Sequence, residues 1–162
     1  MLKIEFAESR GQDAPLGFEE ALGRGEIDMA ELDAVALRYN YFVYPVSLTV
    51  DEISILPDSG VPLVDFMFCL AYSIKEIRAT QHGEIDFTES SYVINITSNE
   101  GRLFFASPRG EVESSYDVDE YAEVVHSFIE CAIRYIFARY PGMQRNAIIH
   151  DLLHLVDSTR QQ

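Results

Sequence analysis

The sequence predicts an α+β fold: an antiparallel sheet with its helices packed largely on one face and a long central helix toward the C-terminus. Three observations carry this. Stretches rich in β-branched and aromatic residues follow one another with turn signals between them. Two later stretches, 63–79 and 117–140, place apolar residues at helical spacing. The 48 % hydrophobic content of 162 residues is enough for one continuous core. No repeat, low-complexity tract or linker divides the chain, so residues 1–162 read as a single domain.

Residues 3–7 alternate charged and apolar side chains, the pattern of a first strand, and residues 11–17, with Pro15 among them, break it. From 18 to 37, Leu22, Ile27, Met29, Leu32, Val35 and Ala36 fall at mostly helical spacings interrupted by Gly23 and Gly25, which predicts one or two short helices. Glu19, Glu20, Glu26, Asp28, Glu31 and Asp33 face a single Arg24 there, so the outer surface is expected to be strongly negative. Residues 39–50 and 53–56 read as a hairpin turning at Asp51-Glu52, with Pro45 placing its strand at an edge or bending it. Residues 57–62 close that segment, and Pro62 suits the first turn of a helix over 63–79 that buries Leu63, Phe66, Met67, Leu70, Ile74 and Ile77.

Gln81, His82 and Gly83 end this helix, and strands follow at 84–88, 92–97 and 102–107, the last two paired across Asn99-Glu100-Gly101. Asp117 is placed to cap the next helix, with Glu120 at the capping-box position. That helix runs to about Tyr140, where Pro141-Gly142 stops it. Its polar residues Asp119, Glu123, His126, Ser127, Glu130 and Arg134 form one narrow stripe, so the helix must be enclosed on several sides. A final helix over 144–156 is expected to pack beside it.

Twenty-seven Asp and Glu against 12 Lys and Arg give a net charge of −15. Such a chain repels nucleic acids and anionic membranes and attracts basic proteins. The first residues alternate where a secretory signal needs an apolar run, and nothing approaches the roughly 18 apolar residues of a membrane span, so a cytoplasmic protein is expected. Cys69 and Cys131, each in an apolar helical context, read as small buried hydrophobes. The acceptor pattern Asn95-Ile96-Thr97 carries no weight without a secretory signal.

Few residues suggest chemistry. His150-Asp151-Leu152-Leu153-His154 puts two histidines on one helical face, as zinc hydrolases do, but Asp replaces the usual Glu and no downstream ligand follows at a family spacing. His at the C-terminal end of a helix also suits the dipole there. Glu84, Asp86 and Glu89 offer carboxylates on a strand whose Ile85 and Phe87 point to the core, which leaves the acids facing water. Ser90-Ser91 and Ser114-Ser115 lack a nucleophile-elbow context, and neither a P-loop nor a dinucleotide fingerprint is present. No catalytic residue, metal or cofactor is assigned.

Binding residues are easier to nominate. Within residues 39–44, inward Phe42 and Tyr44 leave Tyr39 and Tyr41 outward as a recognition surface on an edge strand; burial against the central helix is the competing reading. Glu111, Glu113, Asp117, Asp119, Glu120 and Glu123 form a second acidic stretch of thirteen positions without a basic residue.

The run Pro62-Leu63-Val64-Asp65-Phe66 leading a helix, Ile85-Asp86-Phe87-Thr88-Glu89 and Tyr92-Val93-Ile94-Asn95-Ile96 as strands, and the long closing helix resemble small acidic bacterial immunity-type proteins of toxin/immunity systems. The resemblance implies a tight complex with a secreted toxin, often a basic nuclease, in which Asp and Glu mimic phosphates. The expected function is therefore a non-catalytic acidic binding protein neutralising a cognate basic toxin through Glu19, Glu20, Glu26, Asp28, Tyr39, Tyr41, Glu111, Glu113, Asp119 and Glu123. The alternatives are a metal-dependent hydrolase using His150 and His154, and a structural or regulatory protein that homodimerises through the 39–44 strand.

Overall fold

The computed structural model describes residues 1–87 and 90–161. It has the expected α+β architecture, with the strands divided between two antiparallel sheets. The first sheet has the order β1-β2-β3, formed by Leu2–Phe6, Val43–Val50 and Ile53–Pro62. Short helices α1 (Phe18–Gly23) and α2 (Ala34–Tyr39) lie between β1 and β2. Helix α3 (Leu63–Thr80) leads to the second sheet, β4 (His82–Asp86), β5 (Val93–Asn99), β6 (Arg102–Ser107) and β7 (Gly110–Glu113), in sequential order. Helices α4 (Val118–Arg139) and α5 (Ala147–Arg160) complete the chain. The 18-residue α3 stands between β3 and β4, too long a connection for a hairpin, and the sheet expected as one is split there.

Local signals account for most boundaries. Asp51 and Glu52 both take positive φ, 48° and 69°, and so do Glu100 and Gly101, 50° and 78°; these are the conformations two-residue hairpins require. Gln81 ends α3 in the left-handed region. The Asp117 carboxylate accepts from the N–H groups of Asp119 and Glu120 at 2.9 Å each, while Glu120 accepts from the Asp117 N–H at 3.0 Å, completing the capping box of α4.

Helix α4 touches every other layer. Phe128 packs edge-on against Phe6 of β1, 6.0 Å between centroids, and against Phe66 of α3, 5.5 Å. Tyr121, fully buried, meets Phe105 of β6 at 6.0 Å and shares a 2.8 Å hydrogen bond with Ser73 of α3. Arg78 of α3 donates to the Thr159 carbonyl of α5 and to Asp119 of α4, locking the three helices together. Asn146 caps α5 and donates to the Met29 and Leu32 carbonyls at 3.0 Å, so the 3₁₀ turn at Met29–Glu31 is held against the start of α5.

Several expectations change. Tyr39 is the last residue of α2, which Asp33 caps, so the strand begins only at Val43. That strand, β2, is central rather than at an edge. Pro45 fits because it meets β1 at its last rung: the Pro45 carbonyl accepts from the Ala7 N–H at 2.9 Å, and the Ala7 carbonyl takes the N–H of Arg10 in place of the donor proline lacks. Strand β3 runs through Pro57 to Pro62 instead of ending at Leu56, and β7 lies in a segment for which no strand was expected. Strand β4 starts at His82, and Thr88, the expected end of that strand, lies outside the described residues. Helix α5 extends to Arg160, which puts His150 in its first turns and not at its C-terminal end. Cys131 is exposed, while half-buried Cys69 donates to the Asp86 carbonyl at 3.2 Å, desolvation pushing its thiol up to about 12.

With Phe128 5 % exposed and Ile136 fully buried, Phe128→Ala is expected to cost about 3–5 kcal/mol and Ile136→Ala about 2–5 kcal/mol. Urea titration checks both, and midpoints equal to wild type would make α4 peripheral.

Candidate functional site: an acidic cleft held by Asp13

The segment between β1 and α1 is fastened to the fold at Asp13. Its neighbour Gln12 forms a two-way backbone bridge with Val43, 2.8 Å in each direction, and the Asp13 carbonyl accepts from the Phe42 N–H. The carboxylate then collects three side chains: the Tyr44 hydroxyl donates to Oδ1, while Arg139 Nε and the Tyr140 hydroxyl donate to Oδ2 at 2.8 and 3.1 Å. Tyr135 lies 3.1 Å from the Tyr44 hydroxyl. Burial and then the Asp13 charge push the Tyr140 phenol up to about 12, and burial also raises Tyr44, so both remain protonated donors. Gly11 is required here for space: a Cβ would sit 1.9 Å from Cδ1 of Tyr44.

This anchoring shapes a cleft of about 480 Å³ around residues 11–20. Glu8, Glu19 and Glu20 line it together with Leu16, which is 98 % exposed and stands between Pro15 and Gly17. Arg139, the cation of this cleft, is taken up by Asp13 at 2.6 Å. A second cleft of about 570 Å³ lies between β1 and α4, with Glu5, Glu8, Glu123, Phe6, Phe128 and Cys131 in its lining. Glu8 is common to both.

The nominated residues separate in this frame. Glu19 and Glu20 sit exposed in the first turn of α1 and line the first cleft; Glu123 lines the second. Glu26 pairs with Arg24 at 3.0 Å, and Asp28 caps the Met29–Glu31 turn at 2.9 Å. Asp119 is bound to Arg78 at 2.6 Å and Glu113 to Arg102 at 3.2 Å. Glu111 and Glu113 stand on β7 and line neither cleft. Of the second acidic stretch only Glu123 lines a cleft that shares a residue, Glu8, with the cleft of Glu19 and Glu20.

The tyrosine surface is corrected. Tyr41 is 7 % exposed, its ring edge-on to Phe18 at 5.6 Å, and Tyr39 is half-buried with the Arg38 guanidinium 5.9 Å from its ring. Neither is presented on a strand, because the chain is still helical at Tyr39 and turns through Phe42 at φ 54°.

His150 and His154 are exposed on α5, with His150 Nε2 2.7 Å from the Gln144 carbonyl. Among the described residues no group of three His, Cys, Asp or Glu has metal-holding geometry. Glu84 and Asp86 project into solvent from β4, and Glu89 lies outside the described residues. Among those residues, no helix is long and apolar enough to cross a membrane.

Asp13, Glu8 and Leu16 were not nominated from sequence. Asp13 acts on partners 31 to 127 positions away, which no local pattern encodes. Leu16 did carry a signal: an apolar residue between Pro15 and Gly17 belongs to no periodic face. No family model, curated protein or solved structure matches this chain.

The arrangement puts carboxylates and one exposed apolar side chain in the lining of a single cleft. Gly11→Ala is expected to destabilise by about 1–3 kcal/mol through its collision with Tyr44, while Leu16→Ala should leave stability within about 0.5 kcal/mol. Thermal denaturation of the two variants checks the contrast.

Proposed function

We propose that this chain is a non-catalytic binding protein whose acidic surface captures a basic protein, with neutralisation of a cognate bacterial toxin in the cytoplasm as the leading version. One observation carries the reading: Glu8, Glu19 and Glu20 line the same preformed cleft as the exposed Leu16, and Arg139, which also lines it, is paired with Asp13. The net charge of −15 adds long-range attraction for a cationic surface. In such a contact Leu16 enters an apolar hollow on the partner, and the glutamates meet its Lys and Arg side chains around the rim. The immunity-type resemblance of the sequence agrees in kind, since such proteins occupy a toxin's surface and need no catalytic group. No observation favours the hydrolase alternative, because His150 and His154 find no third ligand among the described residues.

Affinity capture from the source organism first has to yield a basic partner. Charge steering acts mainly on association and is screened over about 8 Å at physiological salt. The variant Glu8→Lys/Glu19→Lys/Glu20→Lys is therefore expected to slow association far more than it speeds dissociation, and Leu16→Ala to act on dissociation instead. Stopped-flow or surface-based kinetics at low and high salt separate the two. Association rates that ignore salt, or a partner that is acidic or nucleic acid, would end the electrostatic account.

A further inference from the structure

We propose that the free edge of β1 pairs with β1 of a second copy of this chain, antiparallel about Ile4, and joins the two three-stranded sheets edge to edge. The ladder to β2 determines which groups are free. Asp51 N–H donates to the Met1 carbonyl and Ala7 N–H to the Pro45 carbonyl, so the odd-numbered residues of β1 bond β2. The even-numbered residues Leu2, Ile4 and Phe6 consequently aim their backbone groups outward, into the cleft beside α4. Leu2 N–H is taken by the Tyr116 hydroxyl at 2.8 Å. Among the described residues no partner exists for the Ile4 and Phe6 amides or for the Leu2 and Ile4 carbonyls.

The other strand edges are closed to such pairing. On β3, Pro57 interrupts the edge and Tyr92 takes the Ile55 carbonyl. On β4, Glu76 accepts the Glu84 N–H at 3.2 Å and the Cys69 thiol occupies the Asp86 carbonyl. Strand β7 has four residues and carries Glu111 and Glu113. Only β1 among these four edges offers a run of free groups beside a cleft.

Charge selects the occupant and the register. The strand reads Leu2-Lys3-Ile4-Glu5-Phe6, and Lys3 and Glu5 share the exposed face, 51 % and 55 % exposed, where in the single chain they pair with each other at 2.8 Å and must exchange that contact for the one across the two-fold. A two-fold pairing centred on Ile4 sets each Lys3 opposite the other copy's Glu5, in non-hydrogen-bonded positions where side chains come closest. Centring on Lys3 would oppose two lysines, and centring on Glu5 two glutamates. The Ile4 register also lets the Ile4 N–H groups donate to each other's carbonyls and the Phe6 N–H groups to the Leu2 carbonyls, four hydrogen bonds in all, without disturbing the Leu2 to Tyr116 contact. The paired residues 2–6 do not belong to the Asp13 cleft, and the pairing does not depend on the function proposed above.

Sedimentation equilibrium over a concentration series at physiological salt tests this, with circular dichroism confirming that each exposed-site variant stays folded. The wild-type chain is expected to dimerise reversibly, and the Ile4 and Phe6 amides to gain exchange protection as concentration rises. Lys3→Glu and Glu5→Lys should each weaken the dimer about tenfold or more, since each places like charges opposite one another twice. The double variant Lys3→Glu/Glu5→Lys should recover most of that loss. Overall repulsion between chains of −15 predicts otherwise, because Glu5→Lys lowers the net charge and would tighten the dimer. A wild-type chain that stays monomeric, single variants that leave the dimer unchanged, a tighter Glu5→Lys dimer, or a double variant no better than the singles would each overturn the proposal.

Discussion

Enclosure of α4 is the constraint on which the remaining structure depends. A 22-residue helix with buried side chains on several sides has to be surrounded, and here both sheets and α3 surround it. Phe128 is wedged between Phe6 and Phe66, and Tyr121 reaches Phe105 on the second sheet. Two sheets that share no hydrogen-bonded strand pair thus both pack on this helix, and the buried apolar side chains of both belong to one contiguous cluster.

The candidate site follows from the far end of the same helix. Tyr135 and Arg139 on α4, with Tyr140 at its C-cap, project toward the segment between β1 and α1, where Asp13 gathers them with Tyr44. A carboxylate this enclosed, its side chain 12 % exposed, is stable because charged and hydroxyl donors surround it. The arrangement engages Arg139, which lines the same cleft as Glu8, Glu19 and Glu20, so a helix placed by core packing turns a cation of that cleft toward Asp13.

What the sequence made legible was local. The Asp117 capping box, the paired positive-φ turns and the apolar stripe of α3 lie within a few residues of the structure they specify, and each stands where its signal placed it. Tyr39 to Phe42 misled because aromatic content suggests a strand, whereas the Asp33 cap starts a helix that carries through Tyr39. Strand β7 is four residues with one buried side chain, Val112, too short for alternation to register. The charge of −15 announced an acidic surface but not which acids were already spent, because pairs such as Arg78 with Asp119 join residues 41 positions apart. The Asp13 cluster is of the same kind, assembled by tertiary contact from residues with no shared local pattern.

Native-state hydrogen exchange read residue by residue tests the enclosure of α4 most directly. If α4 is the element through which the two sheets cohere, the amides of Val125, Ile129 and Ile133 open only with global unfolding, so their exchange free energies equal the stability measured by denaturant and are exceeded by no strand of either sheet. The contrary result is an α4 whose central amides exchange through a local opening well below the global stability while β2 and β5 remain protected. That pattern would make the helix a cover laid over two sheets that hold together without it.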